Sequence, residues 1–249
     1  MWYNIKEVIY IITSVDNVKI KEIIKLKQKK YRDLYNKYII EGENLVLEAF
    51  KNNLLEEIFI LDDYNLDIKK TIITPKIMKQ LTELPSIPSI IGIAKKTNKN
   101  LIKNKILILE NIQDPGNIGT IIRTAVALNI ETIILTKTCA DIYSPKVLRS
   151  TQGMIYNINI LVDDIENIIK NLKQKNIKIY GTDVNEGNLL NNIKKPEKFA
   201  IIMGNEGQGL KKETKNQCDE FIYIKMNENC ESLNVAVASS IIMYEFSKE

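Results

Sequence analysis

No histidine occurs anywhere in the 249 residues. That absence removes Ser-His-Asp and Cys-His nucleophilic catalysis, and with them the usual imidazole metal sites. Cysteine is almost as scarce. Cys139, Cys218 and Cys230 are an odd set without CxxC spacing, which points to a reducing, cytoplasmic home and to no metal centre. Long apolar runs are also missing. The run Val8-Ile-Tyr-Ile-Ile-Thr-Ser14 is too short to span a membrane, and it lacks a basic leader and a small-residue cleavage site. A soluble protein is expected. No G-x-G-x-x-G and no Gly-Lys-Ser/Thr is present, which disfavours a dinucleotide-binding Rossmann enzyme and a P-loop NTPase.

What remains is ordinary in bulk. Apolar residues make up 45% and charged residues 27% of the chain, as in soluble globular proteins. The length allows one large domain or two small ones, with core enough to fold unaided. A net charge of +4, from 35 basic and 31 acidic residues, permits a nucleic-acid partner without demanding one.

Residues 1–95 read as one unit. Ile20, Ile23, Ile24 and Leu26 recur at helical spacing and predict a helix over residues 18–34. Its polar side bears Lys19, Lys21, Lys25, Lys27, Lys29, Lys30 and Arg32, which taken alone describes a solvated face. Strands at 38–41, 58–61, 71–74 and 90–94 and helices at 43–52 and 75–81 complete a small α/β module. Lys95-Lys-Thr-Asn-Lys-Asn100 is polar and lacks apolar periodicity, which places the linker at residues 96–103. From 104 to 249, strands and helices alternate: strands at 106–109, 132–135, 157–161, 177–182, 199–203 and 221–225, and helices at 118–128, 165–175 and 233–246. A short helix is expected within 143–152 and another after Gly209. This alternation predicts a mostly parallel sheet covered on both faces.

Three polar turns at strand ends carry the chemistry. The first is Asn111-Ile-Gln-Asp-Pro-Gly-Asn-Ile-Gly-Thr-Ile-Ile-Arg-Thr-Ala125, a strand end leading into a helix N-terminus, where α/β domains hold ligands. A connector needs Pro and Gly, but not the Asn117 and Arg123 found here. The second is Met203-Gly-Asn-Glu-Gly-Gln-Gly-Leu210, whose glycines let a ligand approach the backbone and whose Glu206 serves no purely flexible loop. The third, Ile224-Lys-Met-Asn-Glu-Asn-Cys-Glu-Ser-Leu-Asn-Val235, opens the last helix. Ser232 is read as its N-cap, and Asn234 as a donor into a neighbouring site.

Together these turns resemble the three signature motifs of the SpoU (TrmH-type) branch of the SPOUT RNA methyltransferases. Asn111, Asp114-Pro115, Asn117, Gly119, Arg123 and Ala125 match the first motif. Gly204, Glu206, Gly207 and Gly209 match the second, and Ser232-Leu-Asn-Val235 the third. Asp141-Ile-Tyr-Ser-Pro-Lys-Val-Leu-Arg-Ser150 with Gly153 resembles the intervening segment. Leu26-Lys-Gln-Lys-Lys-Tyr-Arg32 and Tyr38-Ile-Ile-Glu-Gly42 are similar to the family's substrate-binding module. The likeness covers the chain apart from roughly its first ten residues. Lys225 departs from the usual proline, and Asn157 and Asn159 from the usual His and Pro.

The resemblance implies a fold, an activity and a site. The fold would be a SPOUT-type α/β domain with a trefoil knot, preceded by a small α/β RNA-binding domain. The activity would be S-adenosylmethionine-dependent 2′-O-ribose methylation by a homodimer, with ribosomal RNA of the 23S type favoured over transfer RNA. Cofactor contacts would fall on Met203, Gly204, Gly209, Ile224, Met226, Ser232, Leu233 and Asn234. Arg123, Asn117, Glu206, Ser232 and Asn234 would form the catalytic set, with Asn117 positioning Arg123 and Glu206 orienting it or a partner-subunit residue. A guanidinium stays protonated, so Arg123 is read as binding the target phosphate or stabilising a developing alkoxide. In this light Lys27, Lys29, Lys30 and Arg32 become an RNA-phosphate surface. Two rivals remain at this level: an RNA-binding assembly factor that has kept the fold without turnover, and a generic α/β nucleotide-binding enzyme.

Overall fold

In the computed structural model, residues 10–97 and 101–248 are described. The centre of the expected linker, residues 98–100, and the first nine residues, which open the expected first domain and the Val8 run, lie outside them. By its internal contacts the chain divides into two units: Met1–Thr97 with Tyr143–Arg149, and Asn98–Ile142 with Ser150–Glu249.

The first unit is built on five strands: β1 (Tyr10–Ile12), β2 (Lys37–Glu41), β3 (Leu55–Ile60), β4 (Lys70–Ile73) and β5 (Ile90–Lys95), in the order β1-β4-β3-β5-β2. β1, at one edge, had no counterpart in the expectations. β3 pairs parallel with β4 and antiparallel with β5. Helices α1 (Val18–Lys25), α2 (Lys29–Tyr35), α3 (Glu43–Lys51) and α4 (Pro75–Leu81) accompany them. α4 starts as its sequence dictates, with Thr74 capping the amide of Ile77 and Pro75 in the first turn.

The single helix expected over 18–34 is two. It breaks at Leu26-Lys27-Gln28 because Arg32 folds back: its Nη1 donates to the carbonyls of Leu26 at 2.8 Å and Lys27 at 2.6 Å. Those carbonyls end α1 and would otherwise lack partners. Arg32 is only 4% exposed, so its assignment to an RNA-facing surface is corrected to a structural one. Glu41, also buried, accepts from the Thr82 hydroxyl at 2.8 Å and the Glu83 amide at 3.0 Å, and it lies 3.7 Å from the Arg149 guanidinium.

The second unit holds β6 (Lys105–Leu109), β7 (Thr132–Thr136), β8 (Asn159–Asp163), β9 (Lys178–Thr182), β10 (Asn188–Leu189), β11 (Phe199–Met203) and β12 (Glu220–Tyr223). Their order is β10-β12-β9-β11-β6-β7-β8, and every pairing is parallel. The expected mostly parallel sheet is thus present; the short edge strand β10 was not foreseen. β7 and β11 are buried along their whole length, which is why they read as unbroken apolar runs rather than alternating ones. Helices α5 (Pro115–Ala127), α7 (Ile165–Gln174), α8 (Lys212–Lys215) and α9 (Val235–Ser247) complete the set, while α6 (Pro145–Thr151) falls mostly in the segment Tyr143–Arg149 that belongs to the first unit. α7 packs Ile168, Ile169 and Leu172 on Ile177, Ile179 and Ile202. With few glycines to spend, the chain ends helices on asparagine: Asn36, Asn53, Asn129 and Asn176 all have left-handed φ between 51° and 58° just past helix ends.

This topology sets the site. From β6 the chain moves out to β7 and β8, then returns to the opposite side of β6 with β9 and β11. The reversal brings the C-terminal ends of β12, β9, β11 and β6 side by side, the crevice in which open α/β sheets hold ligands.

Candidate functional site

The loop after β11 is held in shape by its own side chain. Asn205 and Gly209 exchange backbone hydrogen bonds of 3.1 and 2.9 Å, and Asn205 Oδ1 accepts from the amides of Gly207 and Gln208 at 3.0 and 3.1 Å. Residue 204 must be glycine here, because a Cβ would overlap the Gly209 carbonyl carbon and come within 2.5 Å of Leu210 N. Asn205 Nδ2 then reaches the carbonyl of Asn111 at 2.8 Å, pinning the second motif to the first.

The first motif forms a helix N-terminus as read from sequence. Asp114 is the N-cap of α5 and accepts from the Asn117 amide at 2.9 Å, with Pro115 in the first turn. Gly119 lets α5 approach the next segment, since a Cβ there would sit 3.0 Å from the Ser150 carbonyl carbon.

The third motif departs from expectation. The N-cap of α9 is Asn234, not Ser232: Asn234 Oδ1 accepts from the amides of Ala236 at 2.9 Å and Val237 at 3.3 Å. Both residue types cap well, and the chain direction into α9 decides between them. Ser232 is left exposed on the wall of the cavity described below.

One hydrogen-bonded chain links all three motifs. Asn234 Nδ2 donates to Asn117 Oδ1 at 3.0 Å, and Asn117 Nδ2 donates to Glu206 Oε1 at 3.1 Å. Its polarity is fixed at both ends, because the α9 amides can only donate to Asn234 and an ionised Glu206 can only accept. The Asn117 amide is therefore committed to Glu206 and Asn234 and does not position Arg123. Arg123 is exposed on α5, roughly 9 Å further along the axis and on a different face of the helix. Among the described residues its side chain makes no hydrogen bond or ion pair. Glu206 likewise bonds Asn117 and Asn205 rather than Arg123.

A cavity of about 510 Å³ opens beside this chain, within the usual range for small-molecule sites. Met203, Gly204, Gly209, Ile224, Met226, Ser232 and Leu233 all line it, and Glu206 stands at its wall; Asn117, Arg123 and Asn234 do not line it. Lys225, the departure from the family pattern, is exposed and outside the lining, between two residues that are within it. Asp183, Glu186, Glu206 and Glu231 face the cavity with Lys215 as the one cation among the described residues that line it, a balance that suits a positively charged ligand.

Two further residues escaped the sequence reading. Glu110, 2% exposed, accepts from the Thr214 hydroxyl at 2.6 Å and the Lys211 amide at 3.2 Å, fastening the far end of the second motif's loop to β6. Asp183 accepts from Lys215 Nζ at 2.6 Å and from the amides of Val184 and Asn185. Burial alone would raise the Asp183 pKa, but the Lys215 and amide hydrogen bonds outweigh it and hold the carboxyl below its ordinary value. No sequence spacing announces either carboxylate, because the Glu110 partners lie 101 and 104 positions away and the lysine that pairs with Asp183 lies 32 away.

Among the described residues, no helix is long and apolar enough to cross a membrane, and no group of three or more His, Cys, Asp or Glu side chains could hold a metal ion. The lysines assigned to RNA divide: Lys29 and Lys30 are exposed, while Lys27 is half-buried and donates to the Thr82 carbonyl at 3.3 Å.

Comparison with known proteins places these features. Residues 104–244 match the SpoU rRNA Methylase family, and residues 17–92 match the MRM3-like substrate binding domain. The 23S rRNA (guanosine(2553)-2'-O)-methyltransferase RlmP of Bacillus subtilis (strain 168) is 34% identical over 241 residues, spanning 94% of this chain and 97% of that protein. The AdoMet-bound rRNA methyltransferase from Sinorhizobium meliloti superposes with a TM-score of 0.86 at 25% identity, covering 95% of this chain and 97% of the other. The SpoU methyltransferase AviRb from Streptomyces viridochromogenes, in complex with AdoMet, shares the fold with a TM-score of 0.85 at 20% identity over 93% of this chain and 97% of its own.

Proposed function

The chain belongs to the SpoU rRNA methylase family, and we propose that it methylates a ribose 2′-hydroxyl of 23S-type ribosomal RNA in the cytoplasm. It is an S-adenosylmethionine-dependent RNA 2′-O-methyltransferase. Ribosomal rather than transfer RNA is favoured because the likeness to RlmP runs through both units. Residues 1–95 would grip RNA, 96–103 would link, and 104–249, threaded as a trefoil knot, would perform the transfer.

One observation carries the site assignment: the chain Glu206–Asn117–Asn234 ties three separate motifs together beside a cavity of fitting size and charge. Gly204, Ile224 and Leu233 would hold the cofactor, with Met203, Gly209, Met226 and Ser232 around it. When bound, S-adenosylmethionine supplies an electrophilic methyl group on a sulfonium. The protein's part is orientation and charge. Glu206 presents its carboxylate to the cavity in a direction set by Asn117, and Asn234 anchors that direction to α9. Arg123, uncommitted within its own chain, would meet the target phosphate or steady the alkoxide as it forms.

A second copy of the chain would cover the outer face of α9. Val237, Ile241 and Tyr244 are 48%, 39% and 58% exposed and fall on one helical stripe. Light scattering should find a dimer that Ile241→Glu dissociates.

The function is tested with labelled S-adenosylmethionine and ribosomal RNA from cells lacking the gene. The wild-type protein should label 23S RNA at a 2′-hydroxyl, and Arg123→Ala should lose transfer while still binding the cofactor by calorimetry. Undiminished transfer by Arg123→Ala would overturn the role given to that residue. Labelling confined to transfer RNA would overturn the substrate.

A further inference from the structure

The lysines of the first unit fall into two kinds. Lys19 pairs with Glu57 at 2.6 Å and Lys21 with Asp16 at 2.9 Å, and Lys27 is tied to the Thr82 carbonyl. Lys25, Lys29 and Lys30 are exposed and have no carboxylate partner among the described residues. Two of these free cations gather on one ring: the Lys25 and Lys30 ammonium groups lie 5.8 and 5.7 Å from the centroid of Tyr31.

Tyr31 in turn stacks on Tyr35, one helical turn on, with centroids 6.1 Å apart and planes 16° from parallel. Tyr35 is 42% exposed and its neighbour Leu34 is 66% exposed. A solvated helix face has no use for this combination, since an apolar patch in water is a liability that monomeric surfaces keep small. A phosphate backbone alone would ask for the lysines but not for the rings. Unpaired nucleotides ask for both, since each has a flat base to stack and a phosphate to neutralise.

We propose that Tyr31, Leu34 and Tyr35 of α2, with Lys25, Lys29 and Lys30 around them, form a docking surface for unpaired RNA nucleotides. One base stacks on the Tyr35 ring and the flanking phosphates meet the three lysines. This deepens the proposed function and rests on its reading of the first unit as the part that grips RNA. Selection by this surface is for a single-stranded loop or bulge, upstream of any chemistry at the ribose.

The test uses the full-length protein and fluorescence anisotropy with two RNAs of equal length, a hairpin with an open loop and a blunt duplex. Tyr35→Ala should weaken loop binding roughly tenfold, leave duplex binding unchanged, and be rescued by Tyr35→Phe, which keeps the ring. The triple change Lys25→Ala, Lys29→Ala, Lys30→Ala should flatten the salt dependence of loop binding by a log–log slope of about 2. Calorimetry with S-adenosylmethionine checks that each variant is folded. Loop binding by Tyr35→Ala equal to wild type, or an equal loss on loop and duplex, would overturn the proposal. Intact methyl transfer beside either result would leave the enzymatic reading standing.

Discussion

The link between Asn117 and Glu206 can be broken and then remade with its polarity reversed. In the wild-type protein the Asn117 amide donates to Glu206 and its oxygen accepts from Asn234, at 3.1 and 3.0 Å. Asn117→Asp keeps the acceptor for Asn234 but sets a second carboxylate against Glu206. It forfeits a hydrogen bond worth about 1 kcal/mol. With Asn117 half-buried and Glu206 exposed, it adds a repulsion of about 1–2 kcal/mol, nearer the aqueous than the interior limit of Coulomb's law. The total of about 2–3 kcal/mol corresponds to a loss of roughly 30- to 150-fold in a property that needs the motifs assembled. Glu206→Gln alone should cost less than about tenfold, because the amide oxygen it introduces still accepts from Asn117. The double variant Asn117→Asp, Glu206→Gln restores one donor and one acceptor, with the new amide on the second motif now donating to the new carboxylate on α5. Its affinity for S-adenosylmethionine, read by calorimetry, should return to within about tenfold of wild type. If the second substitution rescues nothing, the contact does not organise the site. If affinity returns but turnover does not, the Glu206 carboxylate is needed by the reaction itself.

Other expectations follow from the same structure. Gly204→Ala should weaken cofactor binding at least tenfold, since its methyl group displaces the Gly209–Leu210 backbone at a cost of about 1–3 kcal/mol; calorimetry showing unchanged affinity would refute this. Asp183 has a lowered pKa, so its ionised form stabilises the fold at neutral pH and the contribution disappears as pH falls through the lowered folded value. Lys215→Met removes the strongest of the hydrogen bonds that lower it, so its acid-unfolding midpoint by circular dichroism should lie at higher pH than the wild type's; an unmoved midpoint would refute the pairing. Burial pushes the Cys218 thiol up to about 11 and raises that of Cys139, whereas Cys230 is exposed. A thiol reagent at pH 8 should therefore find one fast cysteine, absent in Cys230→Ser, and a second fast thiol would contradict the structure.

The sheet was legible wherever burial on both faces left an unbroken apolar run, as in Phe199–Met203, whose ends the sequence marks with Lys198 and Gly204. α4 was legible because Thr74-Pro75 is a start signal complete in itself. Reading failed where a side chain turns inward to partners that no local pattern marks. Arg32 looks like one more surface cation until its guanidinium is seen closing α1. Glu110 and Glu41 look like solvent-facing carboxylates, yet each is buried among donors from remote segments. β1 and β10 are too short to show a period. In the site, the residue types were visible in the three turns, but the face on which Arg123 sits and the choice of Asn234 over Ser232 as cap depend on backbone direction, which no local string encodes.

The bond between Asn117 and Asn234 spans 117 positions, and that between Asn117 and Glu206 spans 89. A ribosome must therefore deliver the start of α9 before the Asn117 oxygen can find its mate. Products that stop short of α9 lack Asn234 and the Val235, Ala238 and Ile242 wall of the cavity. Loss of that helix therefore removes the partner of the Asn117 oxygen together with one side of the pocket.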